Sequence, residues 1–137
     1  MFVRRVSAIV VLLAAVAAVA QADMRVYDLR CEHRVNPLGI DSLEPRLSWK
    51  MEADGRNRAQ TAYRVLVAST PEALAADNGD LWDSGRIDSG QSMHVVYAGA
   101  PLESHRACWW KVRVWDENGL ESPWSEPAHW SMGILRP

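Results

Sequence analysis

The run Ala107-Cys108-Trp109-Trp110-Lys111-Val112-Arg113-Val114-Trp115-Asp116 most constrains what this chain can fold into. Its apolar side chains recur every second residue, so Cys108, Trp110, Val112 and Val114 share one face and Trp109, Lys111, Arg113 and Trp115 the other. A period of two is the period of a strand, and a wholly apolar face opposite a mixed one is a strand covered on one side. Glu117-Asn118-Gly119 supplies the turn that follows, and Glu121-Ser122-Pro123-Trp124-Ser125-Glu126-Pro127 continues from it. Together they read as the hairpin that closes a β-sandwich.

The front of the chain has a different composition. Arg4 and Arg5 precede an apolar stretch from Val6 to Ala20, and Ala20-Gln21-Ala22 has the small-x-small form of a leader cleavage site ahead of Asp23. Residues 1–22 are therefore expected to be a signal peptide. The apolar stretch is shorter than the ~20 residues a membrane-spanning helix needs. Cleavage would release residues 23–137 as one exported domain, periplasmic or extracellular and free of the membrane. The Arg4-Arg5 pair leaves both the general and the twin-arginine export routes open. Formal net charge is −2, and it becomes more negative once Arg4 and Arg5 are lost. Charges of both signs are interspersed, so nucleic acid is not an expected partner.

Strand patterns separated by turn residues run through the rest of the chain: 25–31, 46–51, 60–68, 81–83, 92–97, 107–115 and 128–132. In 60–68, Tyr63, Val65 and Val67 make a better core face than Ala62, Arg64, Leu66 and Ala68. Between 31 and 46 lies a long connection punctuated by Pro37 and Gly39. One short helix is expected near 71–76, with Thr70 as N-cap and Pro71 in its first turn. The fold class is all-β, a seven-stranded two-sheet sandwich.

Reactive constellations are missing from this pattern. His33, His94, His105 and His129 have no ligand spacing, no glycine-rich phosphate loop or nucleophile elbow occurs, and the carboxylates are dispersed. No catalytic, cofactor-binding or metal-ligating residue is assigned. Cys31 and Cys108 both fall on inward positions. Two readings stand: a disulfide, worth roughly 4–5 kcal/mol in the chain-entropy model, or two separate buried thiols.

Tryptophan is the unusual component, with seven in the chain. Trp49 and Trp110 are expected in the core by alternation. Trp109, Lys111, Arg113, Trp115 and Trp124 are expected together on an outer face, where cations can stack on indole rings. Such a face is first a self-contained ladder, second an interface with another domain, and third a carbohydrate platform.

Several ordered motifs resemble one family. They are Leu29-Arg30-Cys31-Glu32, Asn36-Pro37-Leu38-Gly39-Ile40-Asp41, Pro45-Arg46-Leu47-Ser48-Trp49, the run 60–69, Leu81-Trp82-Asp83-Ser84-Gly85 and the run 108–116. The tail from Trp110 to Pro127 resembles the last strands of a fibronectin type III domain. The whole is similar to the N-terminal module of secreted bacterial α-L-rhamnosidases of glycoside hydrolase family 78. That resemblance implies a Greek-key sandwich of immunoglobulin or fibronectin type III type, intramolecular packing against later domains, and no cofactor. It places the family's inverting hydrolysis of terminal α-L-rhamnosides in a later (α/α)₆ barrel, to which nothing here corresponds. The chain is thus expected to be a non-catalytic fragment or truncated copy, or alternatively a free-standing module that binds carbohydrate or protein.

Overall fold

The computed structural model describes residues 21–135. Most of the expected leader therefore lies outside the described residues. Among those described are seven strands, β1 Arg25–Cys31, β2 Arg46–Glu52, β3 Ala62–Ala68, β4 Trp82–Asp83, β5 Val95–Val96, β6 Ala107–Trp115 and β7 Ala128–Ser131, with one helix, α1 Pro71–Ala75. They form two antiparallel sheets, β1-β2-β5 and β4-β3-β6-β7. The chain crosses from the first sheet to the second after β2, returns for β5, and crosses again into β6. This is the expected two-sheet, nearly all-β architecture.

The core lies between the sheets. Val26, Leu29, Cys31, Leu47 and Trp49 from one side meet Tyr63, Val65, Val67, Cys108, Trp110, Val112, Val114 and Trp130 from the other. Trp49 packs edge-on against Tyr63 at 5.3 Å between centroids, and Trp110 against Trp130 at 6.4 Å. Both alternation-based core assignments, Trp49 and Trp110, hold in the structure. In β1 the period of two breaks, because Asp28 takes a left-handed backbone (φ 50) and the register with β2 shifts between Tyr27 and Arg30. That bulge lets Val26, Leu29 and Cys31 all turn inward.

Three boundaries differ from expectation for local reasons. β3 begins at Ala62 because the Gln60 side chain turns inward, accepting from Trp49 Nε1 at 3.0 Å and donating to Ser89 O and Gln91 O at 3.0 and 2.8 Å. β5 shrinks to two residues because His94, at φ 55, leaves the extended region. The connection holding Pro37 and Gly39 is more than a turn. Ile40 N–H donates to Ser131 O at 2.8 Å, Ser131 N–H to Pro37 O at 3.1 Å, and Gly133 N–H to Ile40 O at 2.8 Å, laying a strap along β7 with a parallel bridge from Ile40 to Met132. Helix α1 starts as expected, Ala73 N–H donating to Thr70 Oγ1 at 3.1 Å.

Candidate interaction face: the tryptophan-bearing side of the four-stranded sheet

The outward residues of β3 and β6 would be solvent-facing in a bare sheet. Here two pieces of chain cover them. Leu74 of α1 packs on Leu66 and Ala68 with Trp109 and Trp124 alongside, making a second, smaller apolar cluster. The segment after β6 hydrogen-bonds back to it, Ser122 N–H to Val114 O and Ser125 N–H to Val112 O, each at 2.8 Å. The Ser125 and Ser122 hydroxyls accept from Val112 and Val114 N–H at 3.0 Å. These bonds hold Trp124 over the sheet.

Trp124 becomes the centre of the face. Arg113, Lys111 and Arg64 lie 4.4, 4.8 and 5.8 Å from its ring centroid. Each cation also has an anion. Lys111 pairs with Asp77, Arg113 with Glu121 at 3.7 Å, and Arg64 forks onto both Asp83 oxygens at 3.0 and 2.7 Å. Lys111 is only 8 % exposed, so its stem is covered and its charge neutralised in place. The Arg64 guanidinium holds the Asp83 carboxyl below the usual carboxylate range.

Of the expected set, Trp109, Lys111 and Arg113 gather around Trp124, and Trp115 stands apart with a cation of its own. Lys111 and Arg113 stack on Trp124; Trp109 joins the small apolar cluster; Trp115 takes Arg86, 4.9 Å from its centroid. Two cations went unassigned in the sequence. Arg64 was legible, since it lies on the outward face of β3 and its register partner is Arg113. Arg86 sits in an irregular loop, and no periodicity signals where a loop side chain lands.

Cys31 and Cys108 are unbridged in this structure, both buried in the main core. Desolvation pushes each thiol up to about 12, and for Cys31 the neighbouring Glu32 and Cys108 add to the effect.

A groove of about 600 Å³ runs between β1 and the Pro123–Ala128 segment. Asp23 and Asp28 line it, and Arg58, Lys50 and Arg30 pull their carboxyls below the ordinary range. Glu32, Asp80, Asp83 and Glu117 are lowered as well. A general acid needs the opposite displacement, so these six groups are suited to ion pairing and not to donating protons at neutral pH.

Comparison with known proteins matches this geometry to a family. The family described as Rha78A-like, N-terminal immunoglobulin domain, covers residues 26–136. An α-L-rhamnosidase of Streptomyces avermitilis is 43% identical over 112 residues, which are 82% of this chain and 11% of that protein. One from Alteromonas sp. is 44% identical over 102 residues, 74% of this chain and 11% of that protein. Among solved structures, the α-L-rhamnosidase of Dictyoglumus thermophilum superposes with a TM-score of 0.78 at 39% identity, covering 80% of this chain and 12% of that one. The Streptomyces avermitilis enzyme complexed with L-rhamnose gives 0.77 at 44% identity, covering 80% of this chain and 10% of that one. The chain therefore spans about a tenth of the length of the proteins it matches, and it belongs to the family of Rha78A-like N-terminal immunoglobulin domains.

Proposed function

We propose that this chain is the non-catalytic accessory sandwich of an exported α-L-rhamnosidase, whose task is to pack against later domains of such an enzyme and support them. The observation that carries the reading is the extent of the match. It covers the sandwich from β1 to the strap-bound end of β7, yet takes up only 11% of a relative named for hydrolysing α-L-rhamnosides. The chemistry of the face agrees. Charged partners already occupy the Trp124 ring, which favours a self-contained ladder over a sugar platform.

The test removes the matching 112 residues from the Streptomyces avermitilis enzyme and supplies this chain in trans. A rise in the remnant's melting temperature, with no turnover of an aryl α-L-rhamnoside by this chain alone, is the expected result. Titration with rhamnose-containing oligosaccharides should leave tryptophan fluorescence unchanged. A saturable change abolished by Trp115→Ala would instead make the chain a carbohydrate-binding module.

A further inference from the structure

The two most exposed large aliphatic side chains among the described residues are Leu38, at 77 %, and Ile134, at 76 %. They flank a single backbone contact. Leu38 precedes Gly39 and Ile134 follows Gly133, and these two glycines approach so closely that a Cβ on Gly133 would stand 3.1 Å from Gly39 O. Hydrogen bonds hold both sides in place: Gly133 N–H donates to Ile40 O at 2.8 Å, and Gly39 N–H to Ser131 Oγ at 3.2 Å. Leu43, 60 % exposed, extends the apolar line along the same strap. Asp41 and Glu44 flank it, exposed and in no ion pair among the described residues.

The chain leaves the sandwich at this same end. Beyond β7, Met132 N–H donates to Arg106 O at 2.8 Å, His105 N–H to Gly133 O at 3.1 Å, and Leu135 N–H to Ser104 Oγ at 2.8 Å. The exit is fastened through Leu135, so whatever follows starts from a fixed point, and each further residue adds at most about 3.5 Å of reach. In the relatives a great deal follows. The matching family is described as N-terminal, and the match takes up 12% and 10% of two solved relatives. A domain attached that closely has these aliphatics within reach, and aliphatics grouped at one spot mark contact surfaces where scattered ones do not. The tryptophan-bearing face offers no such opening, because each cation over Trp124 already has its anion.

We infer that the end of the sandwich carrying Leu38, Leu43 and Ile134 is the seat on which the next domain of a rhamnosidase docks, through an apolar patch with basic side chains placed opposite Asp41 and Glu44. The inference rests on the accessory reading and names the surface that reading leaves unassigned. The aliphatic centre supplies contact as it loses water, and the carboxylates select a partner of opposite charge and fix its register. Contacts between domains of one chain are commonly modest in area and partly polar, which is the character of this surface.

The test puts this chain's sandwich into the Streptomyces avermitilis enzyme in place of the 112 residues it matches. Leu38→Asp combined with Ile134→Asp should leave the melting temperature of the free full chain within about 3 °C of its parent, since both side chains are exposed. In the chimaera the same pair should split off an earlier melting transition for the sandwich and speed proteolysis of the connection after Leu135 at least about tenfold. Leu38→Ala with Ile134→Ala, gentler on folding, should move both readouts the same way. Met93→Asp, equally open to solvent as Leu43 but on the outer face of the three-stranded sheet, should move neither. Unchanged melting and proteolysis in both double variants, in a chimaera that otherwise melts as one unit, would overturn the seat and leave the accessory reading standing. An unsubstituted chimaera whose sandwich melts independently would overturn both. A free chain that sediments as a dimer, and as a monomer after the double substitution, would assign the surface to a second copy and overturn the inference.

Discussion

Trp49 and Trp110 are both core indoles, yet their ring nitrogens have opposite fates. Trp49 Nε1 donates to Gln60, whereas Trp110 Nε1 is buried with no partner. Replacing Trp49 by Phe strands Gln60 Oε1 in the core, and an unsatisfied buried acceptor costs about 1–3 kcal/mol. Trp110→Phe removes a donor that was already unpaired. Urea unfolding should therefore show Trp49→Phe less stable than Trp110→Phe by about 1–3 kcal/mol, with equal m-values. Alternation in the sequence made both rings legible as core, but a partner reaching in from a loop, as Gln60 does, has no periodic signature. The two thiols make a second test at this scale. Raised to about 12, they stay protonated in the folded chain, while the unfolded chain ionises from about 8.5 upward. The native state thus has its full thiol contribution below about 8.5 and loses it progressively as pH climbs toward about 12. Folded protein at pH 8 should resist alkylation, and denatured protein should take up two labels. A denatured chain that takes none is bridged.

Among the elements, the long strands were the most legible, because each repeats its two-residue period enough times to override local noise. β4 and β5 were the least, with two residues apiece, and their positions depend on neighbours. The β5–β6 connection shows what such neighbours demand. Tyr97 donates its hydroxyl to Ala100 O at 2.7 Å and Leu81 O at 3.3 Å, knotting the loop against β4. Gly99 sits inside that knot, where a Cβ would run into Leu81 O, the Trp82 side chain and the Tyr97 hydroxyl. Two of these three are held by the same hydrogen bonds, so little can give way. Gly99→Ala is expected to lower stability by about 1–3 kcal/mol, the usual range for overpacking, as a shift in thermal or urea midpoint. Gly85→Ala makes a control of another kind: a Cβ there meets nothing, and any cost comes from φ 63 alone.

At the scale of the molecule, the displaced carboxyls act together. Asp23, Asp28, Glu32, Asp80, Asp83 and Glu117 all titrate below their ordinary values in the folded chain. Lowered folded values mean that the unfolded chain binds protons first. Their contribution is complete above the unfolded carboxylate values near 4 and is lost as pH falls through the lower folded ones. Melting temperature should hold steady from neutral pH to about 5 and drop steeply below about 4, and added salt should blunt that drop, since most of these pairs are exposed. The two-sheet plan was readable from the strand count, whereas its Greek-key crossovers were only what the family resemblance implied. The strap was not, because its bonds to β7 join residues more than 90 positions apart, as in Gly39 N–H to Ser131 Oγ and His129 N–H to Asn36 Oδ1.

That separation has a temporal meaning. A polypeptide threaded amino end first delivers Asn36 long before His129 and Ser131, so the earliest loop waits, unseated, for the last strand to emerge. Nothing short of the entire domain can lock its own beginning.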